Sequence, residues 1–376
     1  MAGIYVHIPF CSSFCIYCGF YSELNVARMD AFAGALAAEA RSRKDFFDKG
    51  VLPSTLYFGG GTPSLLPPDC LEEVVESIRK SFGVSGFEEF TLEANPDDVN
   101  PEKLALWRSL GVNRLSLGVQ SFNDSHLRWM CRRHDAAGAE NAFRAAREAG
   151  FDNISIDLIF GYAGLTYAGW RESIERALDL RPEHISCYQM SVEEGSTLGR
   201  LASLGRYAEP SQELCASQYA LLQGMLRAAG YRHYEVSNFA LPGRESKHNG
   251  AYWTREPYLG LGAGAHSFDG RRTRSWNADD LELYISAWSG GGAGPEAVVS
   301  GETLSDEDVF NEGVMLSLRR AEGLDMGAPD GPLPAGFRAA LDALVEKGCL
   351  LREGSHMRIP EDRWFVSDDI IGGLFL

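Results

Sequence analysis

The chain has 376 residues, 45% of them hydrophobic and 23% charged, and a formal net charge of -17. Its length suits one barrel-sized α/β unit of about 250 residues with a smaller unit beside it, and no apolar run approaches the roughly 18 residues that cross a bilayer. The acidic balance argues against nucleic acid as a partner, because binding a phosphate backbone needs clustered Lys and Arg.

The N-terminal MAGIYVHIPFC lacks a basic region followed by an apolar stretch, so no secretory signal is read and a cytoplasmic location is expected. Six β-rich runs then alternate with helix-patterned segments. The strands are GIYVHI (3 to 8), STLYF (54 to 58), EEFTLE (88 to 93), NRLSLGV (113 to 119), NISIDLIF (153 to 160) and EHISCYQM (183 to 190). Helices are expected over Met29 to Phe47, Pro68 to Phe82, Pro101 to Leu110, His126 to Ala149 and Tyr167 to Leu180. This alternation predicts an α/β fold, a partial (β/α)6 barrel that stays open.

A further helix at Ser211 to Ala229 leads through YRHYEVSNFA to the Gly-rich YLGLGAGAHSF, which would close one side of the barrel. Residues 290 to 295 (GGGAGP) read as a linker dividing a first domain, 1–290, from a second, 296–376. Two helices, Ser305 to Arg320 and Ala335 to Lys347, and a hairpin in LLREGSHMRI suggest that the second is a small winged-helix-like α+β unit.

Eight cysteines are too few for a disulfide scaffold at this length, and three of them, Cys11, Cys15 and Cys18, fall on one loop directly after the first strand. Soft thiolates select zinc, Cu(I) or iron-sulfur centres. A structural zinc normally takes four protein ligands, and no second C-x2-C pair exists. On spacing alone, unliganded thiols or a zinc site completed by His7 stay open beside an iron-sulfur cluster with one iron left free. After the second strand, Gly59-Gly60-Gly61-Thr62-Pro63-Ser64 offers backbone that a ligand could approach closely; it lacks the spacing and Lys of a phosphate loop.

The string YVHIPFCSSFCIYC resembles the C-x3-C-x2-C cluster loop of the radical S-adenosylmethionine (SAM) superfamily, and in detail its coproporphyrinogen dehydrogenase family, which contains HemN enzymes and HemW haem chaperones. The resemblance extends over nearly the whole chain. It implies a 4Fe-4S cluster on Cys11, Cys15 and Cys18, with SAM chelating the open iron through its amino and carboxylate groups. It also implies a SAM pocket of Gly60, Gly61, Thr62, Glu93, Gln120, Arg132 and Asp157, joined by Tyr5, Tyr17 and Gly19 near the cluster loop and by Ser191 and His266 later on. Tyr17 is expected against the adenine. Buried Glu93 and Asp157 would need a partner, such as the methionyl ammonium, ribose hydroxyls or Arg132. Two departures stand out: Gly161-Tyr-Ala-Gly-Leu-Thr166 replaces the common G-L-P-G-Q-T, and Cys131-Arg-Arg-His134 replaces G-R-x-H.

The string His248-Asn249-Gly-Ala-Tyr252-Trp253 resembles the haem-binding H-N-x-x-Y-W motif of the HemW branch, with His248 as an axial ligand and Asn249, Tyr252 and Trp253 beside the porphyrin. Phe20 stands where HemN enzymes carry a fourth Cys, and only ten residues precede Cys11. These features imply a haem chaperone that delivers haem to respiratory membrane proteins. The alternatives are oxygen-independent coproporphyrinogen dehydrogenation through a 5'-deoxyadenosyl radical, and a related methyltransferase.

Overall fold

The computed structural model describes residues 1–290, 294–327 and 333–376. Six parallel strands lie side by side in chain order: β1 (Gly3–Ile8), β2 (Thr55–Gly60), β3 (Glu89–Ala94), β4 (Arg114–Gln120), β5 (Ile154–Phe160) and β6 (His184–Gln189). The crossovers are α1 (Met29–Ser42), α2 (Pro68–Phe82), α3 (Pro101–Ser109), the pair α4 (Asp124–Trp129) and α5 (Ala136–Glu148), and α6 (Tyr167–Leu180). The sheet then gathers β7 (Arg232–Glu235), β8 (Asn238–Ala240), β9 (Tyr258–Leu261), β10 (His266–Phe268), β11 (Thr273–Asn277) and β12 (Val299–Thr303) into the order β12-β11-β10-β9-β1-β2-β3-β4-β5-β6-β8-β7. It is an open sheet, as the six βα units led one to expect.

Strand chemistry alternates with period two. Val6, Phe58, Leu92, Leu117, Ile156 and Ile185 are fully buried in the apolar core, as expected where crossover helices cover a parallel sheet. Tyr57, Glu93, Arg114, Ser116, Asp157, Ser186 and Tyr188 face the other way and line a cavity in the curve of the sheet. Both faces are buried, one against helices and the other around a polar lumen.

The stretch 126–149 is not one helix. Residues 130–135 break it, because Arg132 turns under the sheet to donate to the Gly118 carbonyl and Asn95. Cys131 takes a left-handed φ of 60° to allow the turn, and Asp135 restarts the helix by accepting from the Gly138 N–H. A left-handed non-glycine residue costs roughly 1 kcal/mol, and Cys131 bears that strain. α1 stops at Ser42, five residues short of the expected end.

Four further helices follow: α7 (Thr197–Ser203), α8 (Gln212–Ala228), which packs against α6, α9 (Lys247–Trp253) and α10 (Leu281–Trp288), which packs against α1. α9 lies across the N-terminal ends of the strands. Glu89, at the start of β3, accepts from the Lys247 and His248 N–H groups, both at 2.8 Å, and from the Ser246 hydroxyl at 3.3 Å. The C-terminal segment has α11 (Asp306–Leu318), α12 (Phe337–Glu346) and α13 (Ser367–Gly372) with a small sheet ordered β13 (Leu324–Asp325), β15 (His356–Arg358), β14 (Leu351–Glu353). The stretch expected to be a second unit, 296–376, gives its first strand, β12, to the large sheet, pairing antiparallel with β11. Of the expected linker, residues 291–293 lie outside the described residues. No described helix is long and apolar enough to cross a membrane.

Glu39 of α1 joins the late strands to the early ones. Its fully buried carboxyl accepts from the Tyr284 hydroxyl at 2.7 Å, Asn277 Nδ2 at 2.8 Å, the Gly262 N–H at 2.9 Å and Arg43 Nη1 at 3.3 Å. Replacing it by Ala strands the Tyr284 hydroxyl and the Gly262 N–H in the core, while Asn277 and Arg43 keep the Gly262 and Gly260 carbonyls, and the expected loss is about 3 kcal/mol of stability. Denaturant unfolding of Glu39→Ala checks this; a loss below about 1 kcal/mol, the scale of one ordinary hydrogen bond, contradicts it.

Candidate cluster and SAM site

The loop after β1 is held at three places. The Cys11 N–H donates to the Glu23 carbonyl at 2.9 Å, Ile16 N–H to Met130 at 3.3 Å, and the Leu198 N–H reaches the Ile16 carbonyl at 2.8 Å. Cys11, Cys15 and Cys18 thereby line the mouth of one cavity of 660 Å³. Burial pushes the Cys11 and Cys18 thiols up, opposed at Cys11 by hydrogen bonds from Thr62 and Ser22 and at Cys18 by the Phe20 backbone. Thr62 Oγ1 donates to Cys11 Sγ at 3.6 Å and Arg132 Nη1 to Cys15 Sγ at 3.4 Å.

Among the described residues no three His, Cys, Asp or Glu side chains stand close enough to share one metal ion. Three thiols spread around one mouth suit a cubane, in which each thiolate takes a different iron, better than a single zinc. His7 does not complete a zinc site: its Nε2 meets the Tyr21 carbonyl at 3.1 Å and its Nδ1 the Tyr5 hydroxyl at 3.2 Å.

The glycine turn works differently from its sequence reading. A Cβ on Gly60, whose φ is 103°, would lie 2.7 Å from the His7 ring, and one on Gly61 would lie 2.8 Å from the Phe10 carbonyl and 3.1 Å from Cys11 Sγ. The glycines let β1 and the cysteine loop lie directly on β2. Close approach is required, and the nearest approaching group is the protein's own chain.

Most of the expected SAM residues do meet. Tyr17, Gly19, Gly60, Gly61, Thr62, Glu93, Gln120, Arg132, Asp157 and Ser191 all line the one cavity. Gln120 holds a left-handed φ of 65° at the end of β4, and Tyr17 lies beside Arg132, Cys15 and Cys18. Tyr5 stands one layer behind, paired across the strands with Tyr57. His266 is not brought in: it is exposed on β10 and stacks on Trp276 at 5.7 Å.

The buried carboxyls find partners other than Arg132. Glu93 accepts from the Tyr57 hydroxyl at 2.7 Å, and burial lifts its pKa to about 7 against that bond. Asp157 accepts from Ser116 at 3.1 Å and Ser155 at 3.4 Å, and its pKa too is raised by burial. The cavity also contains Tyr57, Arg114, Ser116, Ser186 and Tyr188, which the sequence reading passed over. Polar residues at every second position within apolar strands, as in R-L-S-L-G and H-I-S-C-Y, were the signal available.

The HNxxYW residues lie within α9. His248 is 1% exposed, with Nδ1 bonded to Thr55 Oγ1 at 2.8 Å and Nε2 to the Tyr252 hydroxyl at 2.9 Å, and its ring packs on Tyr57 at 5.1 Å. Both ring nitrogens are hydrogen-bonded in this conformation, and His248 stands behind Tyr57 rather than in the cavity lining. Asn249 alone of the motif lines the cavity, while Tyr252 and Trp253 stand behind it, half-buried.

His248 is neutral, because burial, with the charge of Arg114 adding to it, lowers its pKa to about 3. An unfolded imidazole titrates near 6.5. As pH falls below about 6.5 the unfolded chain binds a proton that the folded chain refuses, so this group removes about 1.4 kcal/mol of stability per pH unit down to about 3. His248→Gln should therefore lose about 2 kcal/mol less stability than wild type between pH 7.5 and pH 5. Denaturant midpoints at the two pH values measure the difference; equal losses contradict it.

A family model described as the radical SAM superfamily matches residues 5–177. The Bacillus subtilis (strain 168) protein named "Heme chaperone HemW" is 35% identical, covering 99% of this chain and 98% of its own. Its namesake in Lactococcus lactis subsp. lactis (strain IL1403) is 37% identical over 85% of this chain and 82% of its own. The solved structure of coproporphyrinogen III oxidase (HemN) from Escherichia coli, a radical SAM enzyme, superimposes with a TM-score of 0.83 over 100% of this chain and 90% of that one at 24% identity, a likeness of fold. With its cysteine loop, glycine turn and open six-stranded core in place and near-full-length identity above 30%, the chain belongs to the HemW family of radical SAM proteins.

Proposed function

We propose that the protein is a haem chaperone: it holds a 4Fe-4S cluster on Cys11, Cys15 and Cys18, binds SAM between the cluster loop and the lumen, binds haem, and passes it to haem-accepting respiratory membrane proteins from the cytoplasm. The observation that carries this reading is the match to curated haem chaperones at 33 to 37% identity. Phe20, at the position of the fourth HemN cysteine, supports the same branch.

When bound, the cluster and SAM supply one-electron chemistry. The chain's own residues hold and shield that pair. Arg132 sets a fixed positive charge against Cys15 and, through Gly118 and Asn95, fixes the cluster loop to the ends of β3 and β4. Thr62 supports Cys11 from the glycine turn. Gln120, Asp157 and Ser191 are the polar groups for SAM's ribose and methionyl parts, and Tyr17 is the ring for its adenine. Glu93, with its pKa about 7, can hold or release a proton in the lumen near neutral pH.

Anaerobic reconstitution should give about four irons per chain, by the three-thiolate cubane reading, and changing Cys11, Cys15 and Cys18 together to Ala should abolish the visible absorption and the reduced-cluster EPR signal. Stoichiometric zinc without labile sulfide contradicts the cluster. On the same reconstituted sample, haem should titrate to a saturating Soret band while coproporphyrinogen III is not decarboxylated. Decarboxylation would make the protein a dehydrogenase, and absence of haem binding would remove the chaperone reading. Because His248 is already bonded through both nitrogens, His248→Gln should keep the wild-type Soret position; a shifted band would show that α9 opens to give haem this ligand.

A further inference from the structure

The base of the lumen holds a positive charge that the cluster loop and glycine turn do not use. Arg114, the first residue of β4, is 1% exposed and lines the cavity. Its Nη1 makes one long bond to Thr91 Oγ1 at 3.5 Å, and its Nε has no partner. A guanidinium presents five donors, and leaving a buried one without an acceptor is costly.

Burial opposes its charge and Glu89 and Asp157 offset this at a distance, leaving its pKa raised, but neither accepts a bond from its donors. Asp157 is served by Ser116 and Ser155, Glu93 by Tyr57, and Glu89 by the first N–H groups of α9. Among the described residues none of these makes an ion pair with Arg114. The same cavity lining includes Asn249, whose side-chain amide has no hydrogen-bond partner among the described residues, and Ser186 and Tyr188 with their hydroxyls. Arg114 lies four residues before Gly118, about 13 Å along the strand at roughly 3.3 Å per residue. Gly118 is where Arg132 is anchored beneath the thiols. The lumen thus has one guanidinium committed at its mouth and another uncommitted at its base.

We propose that Arg114 and Asn249 form a carboxylate-binding subsite at the base of the lumen, which takes a propionate arm of the bound tetrapyrrole. A planar fork of N–H donors matches a carboxylate's two oxygens, and the Asn249 amide can donate to the same group. The subsite rests on the haem-binding reading and adds a polar anchor for the carboxylate arm to it. It also gives HNxxYW a second purpose, since the helix that carries His248 brings Asn249 into the cavity lining.

The test uses the reconstituted full chain, titrated with haem and with haem dimethyl ester, which keeps the iron and the ring but removes both negative charges. Wild type should bind the free acid at least about tenfold more tightly than the ester, the scale of one charge-assisted hydrogen-bonded pair. Arg114→Gln should lose about that factor for the acid and none for the ester, with iron content unchanged, and Arg114→Lys should restore part of it. Equal affinity of wild type for acid and ester, or a preference that persists in Arg114→Gln, overturns the subsite while leaving haem binding standing. If neither compound binds wild type, the haem reading falls and the subsite with it. Should Arg114→Gln fail to fold, judged by circular dichroism, the wild-type comparison of acid with ester decides alone.

Discussion

A parallel strand joined to its neighbours by helices must be apolar where the helices cover it, which leaves only the opposite face for chemistry. In this chain that face is almost entirely polar. Thr91 and Glu93 on β3, Arg114 and Ser116 on β4, Ser155 and Asp157 on β5, and His184 and Ser186 on β6 form rows across adjacent strands in register. Each row is buried, so each polar atom requires a partner in the next strand or in the space between. The pairings Glu93 with Tyr57, Asp157 with Ser116 and His184 with Ser155 follow from that requirement. Where the rows fall short, at Arg114, the space itself must supply the acceptor.

The lumen has two ends of opposite character. At the C-terminal ends of the strands the cysteine loop, the glycine turn and Arg132 form the mouth, all short connections whose positions are set by backbone contact. At the other end α9 forms a floor, its N-terminus held by Glu89. A carboxylate at a helix N-terminus is well placed electrostatically, since unsatisfied N–H groups and the helix dipole both favour negative charge there. The same contact fixes where His248 enters. Its imidazole sits over β2, between Thr55 and Tyr57, with Gly3 leaving room for it: a Cβ there would lie 3.0 Å from the ring.

The fold and the grouping of three cysteines on one loop were legible in the sequence because both rest on local signals. Alternating strands, proline-started helices at Pro68 and Pro101, and three cysteines within eight residues need no knowledge of distant contacts. The break at 130–135 was not legible, since it depends on Arg132 reaching Gly118, fourteen residues earlier. Gly60 and Gly61 were correctly singled out as places of close approach, but the approaching group was the preceding strand and its loop. For His248 the residue type carried the motif, whereas its role depends on Thr55, 193 residues away. Arg114 was missed because, read along the chain, it looks like an ordinary charged residue at the start of the strand expected over 113 to 119; only the register opposite Thr91 puts it inside.

The position of β1 has a consequence for the order of events during synthesis. β1 carries the cysteine loop, yet it is a central strand flanked by β2 on one side and by β9 on the other. The first neighbour emerges about fifty residues later, the second only after residue 258, and Tyr21 and Arg28 wait still longer for Leu281 and Glu282. Contacts of such sequence separation form late. A ribosome-bound chain thus displays its three thiols long before their support exists, so stable loading of any centre on that loop belongs after translation of α10, when the strand that presents the thiols has gained its second neighbour.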